Sequence, residues 1–304
     1  MDTYQNKFKE GEVNRIKRET QHINLHCSSM FRSNYYNSKP SDFTYTIPTP
    51  IKNIVSVALT SIDIPNSWYL FSHVKGNNYF TIEMNTSYCD CEVHDIVIPD
   101  GNYDVKLLTA YLNNTYFYLS KTDTLLKYLK FNIHRHSLKT SFELTGKYPD
   151  DLKFNLKFIN QESENIMETL GWMLGYRHGQ YLNNDSSILS EGLYDGGGDR
   201  FIYFCLTDYN NTTNEHNIVC YDKTSVNKDI MAKIYIHNGK FSLNINDIPD
   251  NSVSFSKTRI YHGPINFKKI SVQLLDQFGN IIDLNNMDFS FTLQLEKLYE
   301  NIFA

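Results

Sequence analysis

The chain has 304 residues, of which 41% are hydrophobic and 21% charged, so it can bury a sizeable core and is not a disordered protein. The formal net charge is −5 and the basic residues form no strong cluster, which argues against a broad nucleic-acid-binding surface. With 22 tyrosines and 19 phenylalanines against 14 glycines, the composition favours strands and excludes collagen.

Residues 1–20 are polar and of mixed charge, and we interpret them as an N-terminal arm. They contain no apolar segment like that of a signal peptide, and no run in the chain is apolar enough for a spanning helix. We therefore expect no secretion signal and no insertion into a membrane. Since five cysteines are an odd number, an internal disulfide framework cannot use them all, and we expect mostly reduced thiols.

From His22 onwards apolar and polar residues alternate, which is typical of strands with one buried face. Pro48 and Pro50 predict the end of a strand, because proline cannot donate a hydrogen bond to the ladder. A phase shift in the alternation predicts a bulge near Thr60. The strands predicted in this part of the chain are 22–27, 43–47, 51–64, 79–84 and 92–98.

The character of the sequence changes at residue 100. Asp104 is a typical N-cap for a helix that carries Leu107, Leu108 and Leu112. A second helical stretch is predicted from Ser163 to the compact segment LGWMLGY. Between the two helices, short strands are predicted at 126–133, 139–144 and 153–159. Residues 100–189 are therefore predicted to form a small α+β subdomain.

Strand patterns resume after this subdomain, at 200–207, 229–237, 254–261, 267–275 and 288–295. We predict a mostly β protein, a single jelly-roll β-sandwich whose small α+β subdomain is inserted between the fourth and fifth strands. Residues 21–99 and 190–304 would form the sandwich. Periodicity alone leaves an immunoglobulin-like sandwich open as an alternative.

Two segments have the spacing of partial metal sites. Cys89 and Cys91 lie on one face of a predicted strand close to His94, and His134 and His136 lie on one face of another. Each set lacks the four ligands of a structural zinc site. We therefore predict no metal site and no cofactor.

Other motifs also favour ordinary structural explanations. The DGGGD segment at 195–199 lacks the GK[ST] ending of a phosphate-binding loop, and the segment 283–288 lacks the glycine and glutamate of a calcium loop. No nucleophile can be paired with a base, so we predict no catalytic residues and no enzyme activity. Sequons for N-glycosylation, which we attribute to chance, begin at Asn85, Asn113, Asn184, Asn210 and Asn211.

Several longer phrases go beyond composition. They are DFTYTIPTPIKNIVSVALTSIDIPNSWYLFS (42–72), IVIPDGNYDVKLLTAYLN (96–113), METLGWMLGYR (167–177), RFIYFCLTDYNN (200–211) and GPINFKKISVQLLDQFGNIIDLNNMDFSFTLQLEKLYE (263–300). In this order the set resembles the minor capsid proteins of the nucleocytoplasmic large DNA viruses, the giant viruses. The resemblance covers about residues 20–300.

The resemblance implies a structural jelly-roll protein of an icosahedral capsid, at or near the five-fold vertices, as a penton is. It further implies a homo-oligomer such as a pentamer, contacts with the major capsid protein and other minor capsid proteins, location in the virion and assembly in the host cytoplasm. It implies no contact with nucleic acid. As candidate interface residues we select Trp68, Tyr69, Tyr103, Trp172, Tyr176 and Arg177.

An alternative function is a receptor- or glycan-binding module on the virion surface. In that case Trp68, Tyr69 and the aromatic-rich loops would stack on sugar rings. Tryptophans in a chain of this size more often pack in a core. Binding of the recombinant protein to a glycan array that is lost in Trp68→Ala would support the alternative.

Overall fold

The computed structural model describes residues 20–87, 89–120, 123–159, 165–210, 218–220, 225–226, 229–236, 244–247 and 258–298. The chain divides into two compact units. Residues up to 67 and most of those from 199 onwards form unit 1, and residues 68–198 belong to unit 2. The predicted N-terminal arm lies outside the described residues, apart from Thr20.

Strands dominate the described chain, with one helix of three turns, one short helix and several 3-10 turns. In chain order the elements are β1 (Thr20–Ser28), β2 (Asp42–Pro65), β3 (Tyr79–Thr86), β4 (Cys89–Val97), α1 (Val105–Thr115), β5 (Leu129–Ile133), β6 (Thr140–Leu144), β7 (Lys153–Lys157), α2 (Leu170–Met173), β8 (Gln180–Asn184), β9 (Ser187–Leu189), β10 (Phe201–Thr207), β11 (Val219–Cys220), β12 (Ser225–Val226), β13 (Ile230–Tyr235), β14 (Asn244–Asp247), β15 (Thr258–Leu275) and β16 (Ser290–Leu298).

Unit 1 has the strand order of a jelly roll, in which strands lettered B to I form the sheets B-I-D-G and C-H-E-F. The first sheet consists of β1, β16, the second half of β2, and β14 together with the first part of β15. The second sheet consists of the first half of β2, the second part of β15, β10 and β13. All these pairs are antiparallel, so the predicted fold class is confirmed.

Aromatic side chains show that the two sheets face each other. The rings of Phe204 on β10 and Phe291 on β16 lie 5.1 Å apart, although β2 and β15 separate these strands along the sheet. Phe43 on β2 similarly contacts Phe289 just before β16, with ring centroids 6.0 Å apart. These rings are buried, so they form the core of the sandwich.

The strands β2 and β15 are longer than predicted because each takes part in both sheets. The segments 43–47 and 51–64, predicted as two strands, are parts of β2, and its pairing with β15 changes register between them. Pro48 and Pro50 lie at this irregularity, where the ladder is already interrupted, so the backbone N–H that proline lacks is not needed for pairing. The predicted bulge is confirmed, since Ser61 and Leu59 face consecutive residues of β16 and Thr60 is left over.

Unit 2 contains a four-stranded sheet in the order β4-β3-β7-β8 and a three-stranded sheet in the order β5-β6-β9. Helix α1 begins where predicted, because the Asp104 side chain accepts a hydrogen bond from the backbone N–H of Leu107 at 2.7 Å. Its residues Leu108 and Leu112 are fully buried in the core of this unit. None of the described helices is long and apolar enough to cross a membrane.

The insertion lies between the second half of β2 and β10, the third and fourth strands of the sandwich, rather than between the fourth and fifth as predicted. It is also longer than the sequence indicated. We predicted the boundaries at 100 and 189, whereas unit 2 spans residues 68–198. The difference arises mainly from β3 and β4, since β4 pairs with β3, and β3 pairs with β7, rather than with the sandwich. Alternation shows that a strand has one buried face, but it does not show which sheet the strand joins.

An ion pair in unit 2 predicts a dependence of stability on pH. Lys157 donates to Glu83 at 2.5 Å and Asn155 donates to the same carboxylate at 2.9 Å. The hydrogen bond from Lys157, followed by that from Asn155, lowers the pKa of Glu83 below its ordinary value of 4.5. The stabilisation is complete above the unfolded-state pKa and is lost as the pH falls through the lower, folded-state pKa.

We therefore expect the free energy of unfolding to fall more steeply for the wild type than for Glu83→Gln between about pH 5 and about pH 3. The unfolding of unit 2 at each pH can be followed by tryptophan fluorescence, because both tryptophans lie in unit 2. Glu143→Gln is a matched control with a partly exposed carboxylate in the same unit. If the free energy of unfolding depended on pH in the same way for the wild type and for Glu83→Gln, the expectation would be contradicted.

Candidate interaction surface

The residues that have the spacing of partial metal sites are separated into two places in unit 2. The described residues contain no group of three or more His, Cys, Asp or Glu side chains placed to hold an ion. Cys91 is an exposed free thiol, and the side chain of Cys89 lies outside the described residues. The rings of His134 and His136 are 5.9 Å apart, and His134 also lies 3.8 Å from Glu143.

An exposed apolar surface lies instead in unit 1, between β1 and β2. We call residues 29–38 the aromatic loop. Within eight of its residues, four large side chains are exposed: Met30 by 56%, Phe31 by 71%, Tyr35 by 47% and Tyr36 by 96%. Single exposed apolar residues are common, whereas clusters of this kind mark interaction sites.

Arg32 holds the aromatic loop in place from beneath. Its guanidinium donates to Asp288 and to the backbone carbonyl of Ser29, both at 2.9 Å, and also to Ser38 at 3.2 Å. The same guanidinium lies 4.0 Å from the centre of the Tyr35 ring. The Arg32 side chain is only 5% exposed, so one buried cation connects both ends of the loop to the segment before β16.

The start of the loop is fixed by a second set of hydrogen bonds. The Ser29 hydroxyl donates to Asp288 at 2.6 Å and accepts from the backbone N–H of Phe289 at 3.0 Å. The backbone N–H of Ser29 donates to the Phe289 carbonyl at 2.9 Å. Asn34 has a φ of 56°, which asparagine tolerates better than most residues, and it turns the chain before Tyr35.

These contacts give the loop one conformation before any partner binds. Fixing side chains in advance reduces the entropy that is lost on association. Tyrosine and phenylalanine are also the residue types that most often form the centres of protein interfaces. The aromatic loop therefore combines the fixed geometry and the residue types that are typical of protein contact surfaces.

We expect Arg32→Lys to loosen the loop, because lysine is a point charge and cannot donate to several fixed acceptors at once. Amide hydrogen exchange at residues 30–37 should become faster by roughly tenfold or more, as expected when a charged hydrogen bond is lost. The control is Arg135→Lys at an exposed position in unit 2, which should leave the loop unchanged. Equal exchange rates in the wild type and Arg32→Lys would show that Arg32 does not hold the loop.

The structure buries two of the six candidate interface residues. Trp68 is 1% exposed and Tyr176 is fully buried, so neither side chain can form a contact at the surface of the folded chain. Tyr176 stacks on Phe158 with the ring centroids 5.0 Å apart, and burial raises the pKa of its hydroxyl. Both belong to the core because their large apolar rings gain more from burial than their polar atoms lose.

The other four candidates remain accessible to different degrees. Tyr69 is 38% exposed. Tyr103 is half-buried against the core of unit 2, and its hydroxyl donates to the Pro99 carbonyl at 3.0 Å. Trp172 and Arg177 form a stacked pair, with the guanidinium 3.9 Å from the centre of the tryptophan ring. Their role as contact residues remains a proposal.

The Arg177 side chain is well fixed. Its guanidinium donates to the backbone carbonyls of Trp172 and Tyr176, both at 3.0 Å. A β-carbon at Gly192 would lie 2.4 Å from the same guanidinium, so an alanine there would displace the Arg177 side chain. These bonds direct part of the Arg177 hydrogen-bonding capacity to the backbone of its own chain.

The aromatic loop is the surface that the sequence reasoning missed. Its residues, SMFRSNYYNS, lie between two predicted strands and show no alternation. The available signal was the presence of four large apolar side chains in a short connection, where polar turn residues are usual. Among the sequons, Asn113 is buried and exchanges two hydrogen bonds with the backbone of Phe131, so it is not a sugar acceptor in this fold.

No family model matches the chain, and no curated protein matches it. A crystal structure of the mavirus penton protein is similar to this structure, with 12% sequence identity and a TM-score of 0.49. The similarity covers 91% of this chain and 100% of that chain. At this identity and score the likeness supports no conclusion about function, and the jelly-roll fold rests on the strand order itself.

Proposed function

We propose that the chain is a structural component of an icosahedral virus capsid, a minor capsid protein at or near the five-fold vertices. The observation that carries this proposal is the preorganised aromatic loop on a jelly-roll sandwich. A fold alone does not define a function, but a rigid exposed aromatic surface is a feature of proteins that bind other proteins. The phrases that resemble giant-virus minor capsid proteins supply the capsid context.

In this proposal the chain acts by surface complementarity and carries out no chemistry. It associates with copies of itself, for which a five-fold ring is the proposed form, and with the major capsid protein and other minor capsid proteins. Repeated copies in a symmetric shell add avidity to contacts that are individually weak. The protein is located in the virion and assembles in the host cytoplasm.

The glycan-binding alternative named Trp68, Tyr69 and the aromatic-rich loops as sugar-stacking groups. Since Trp68 is 1% exposed, its ring is not available to stack on a sugar without unfolding of its surroundings. Tyr69 and the aromatic loop remain exposed, so glycan binding loses its tryptophan and stays the second candidate behind the capsid function.

The first test is the copy number in purified virions of the source virus. A closed pentamer at each vertex gives about 60 copies per virion, which should resist detergent washing. Quantitative mass spectrometry against the major capsid protein measures this number. Absence of the protein from washed virions would contradict the proposal.

The second test concerns the aromatic loop. We expect Phe31→Ser combined with Tyr36→Ser to reduce incorporation into virions by roughly tenfold or more, because both rings are exposed and form the most prominent part of the surface. Their exposure also means that the variant should fold normally. The control is Val74→Ser, a 70% exposed position in unit 2. Normal incorporation of the double variant would exclude the aromatic loop as the contact.

A further inference from the structure

The strand β1 lies at the edge of the first sheet of unit 1. It pairs with β16 through nine consecutive residue pairs without a register shift, and no other described strand pairs with it. Its second edge therefore presents backbone groups that another strand can bind. Nine residues make a long edge, since strands usually have five or six.

The sequence of β1 does not protect this edge. Natural edge strands are commonly protected by lysine, by proline, by inward-pointing charges or by a bulge. The strand, TQHINLHCS, contains no lysine, arginine, aspartate, glutamate or proline, and its regular register excludes a bulge. It is therefore suited to pairing with a further strand.

The same sequence is nearly symmetric about its central residue. In an antiparallel pair centred on Asn24, each Asn24 faces the other, Ile23 faces Leu25, and His22 faces His26. Thr20 faces Ser28 in the same register. Opposite residues thus match in size and polarity, with one exception, the pair of Gln21 and Cys27.

The two faces of the strand also match in this register. His22, Asn24 and His26 are exposed on one face, whereas Ile23 and Leu25 are partly buried on the other. Directly opposite residues in an antiparallel pair lie on the same face, so the apolar row would meet an apolar row. The sheet would continue from one copy into the next without a break in pattern.

We infer that two copies of this chain associate by antiparallel pairing of their β1 strands about a two-fold axis through Asn24. This contact goes beyond the proposed function, because a two-fold pair is isologous and cannot close a five-fold ring. It gives the full chain in solution a dimeric form in which the unprotected edge is covered.

The experiment measures the oligomeric state of the full chain by sedimentation velocity over a range of concentrations. We expect a dimer for the wild type. Asn24→Lys should raise the dissociation constant by roughly tenfold or more, because two like charges would lie directly opposite each other. Since Asn24 is exposed, the variant should keep its far-UV circular dichroism. Asn114→Lys on the exposed surface of α1 is the control and should leave the dimer unchanged.

A mixing experiment tests the register. Asn24→Asp should also dissociate, whereas an equimolar mixture of Asn24→Asp and Asn24→Lys should form a heterodimer, because the opposite charges then face each other. A monomeric or pentameric wild type would overturn the inference, as would a dimer that Asn24→Lys leaves intact. A pentamer would at the same time support the proposed ring, so the two proposals can fail separately.

Discussion

Replacement of Asp208 by alanine is expected to lower the free energy of unfolding of unit 1 by about 3–5 kcal/mol, the usual cost of removing one partner from a buried ion pair. The Asp208 side chain is 2% exposed and accepts from Arg259, itself 9% exposed, at 2.9 Å. It also accepts from the Tyr261 hydroxyl and from the backbone N–H of Asn210. In the variant, the Arg259 charge remains buried without its carboxylate.

The position of this cluster explains the large effect. Asp208 directly follows β10, whereas Arg259 and Tyr261 lie at the start of β15. Burial, followed by the charge of Asp208, raises the pKa of Tyr261, so the tyrosine stays protonated and continues to donate. Loss of Asp208 therefore removes hydrogen bonds between two segments of the sandwich at once.

Urea unfolding followed by far-UV circular dichroism measures the effect, since unit 1 contains no tryptophan. Asp63→Ala is the matched control, an exposed aspartate on β2 whose loss should change stability by no more than about 0.5 kcal/mol. A change below about 1 kcal/mol in Asp208→Ala would show that the buried pair contributes little.

Gly175→Ala should be the second strongly destabilising change, with an expected cost of about 2–5 kcal/mol in unit 2. Gly175 has a φ of 94°, and a β-carbon there would lie 2.5 Å from the carbonyl oxygen of Gly192. The obstacle is backbone and cannot rotate away. The backbone N–H of Gly192 also donates to the Gly175 carbonyl at 2.7 Å, so separating the two segments would break a hydrogen bond.

Gly146→Ala separates the two causes. Gly146 has a similar φ of 84°, but a β-carbon there would have no atom within 4 Å. This control should lose only the roughly 1–2 kcal/mol of the left-handed conformation. Tryptophan fluorescence of Trp68 and Trp172 reports both transitions. If Gly175→Ala and Gly146→Ala lowered the free energy of unfolding equally, the close approach to Gly192 would not contribute to the cost.

Local patterns in the sequence predicted much of the fold. The alternation of Phe291, Leu293 and Leu295 predicted a strand with one buried face, and β16 has this pattern. Asp104 predicted the start of α1, and the phase shift near Thr60 predicted the bulge. Each of these features depends on residues that are neighbours in the chain, so the sequence contains the necessary information.

Features that depend on residues far apart in the chain could not be predicted from local patterns. The assignment of β3 and β4 to unit 2 depends on pairing with β7, about 70 residues further along the chain. The burial of Trp68 and the exposure of Phe31 likewise depend on which distant residues cover them. Aromatic residues identify both cores and contact surfaces, so residue type alone placed the candidate surface on Trp68 and Tyr176 and missed the aromatic loop.

The long strand β2 has a consequence for synthesis of the protein. Its hydrogen-bonding partners β14, β15 and β16 all lie after residue 243, whereas all but three residues of unit 2 lie in the segment 68–198. At a usual elongation rate the ribosome needs roughly 10–40 s to make the intervening chain. We therefore expect unit 2 to fold first during translation while β2, like β1, waits unpaired, which leaves 24 residues of β2 open to chaperones and to aggregation.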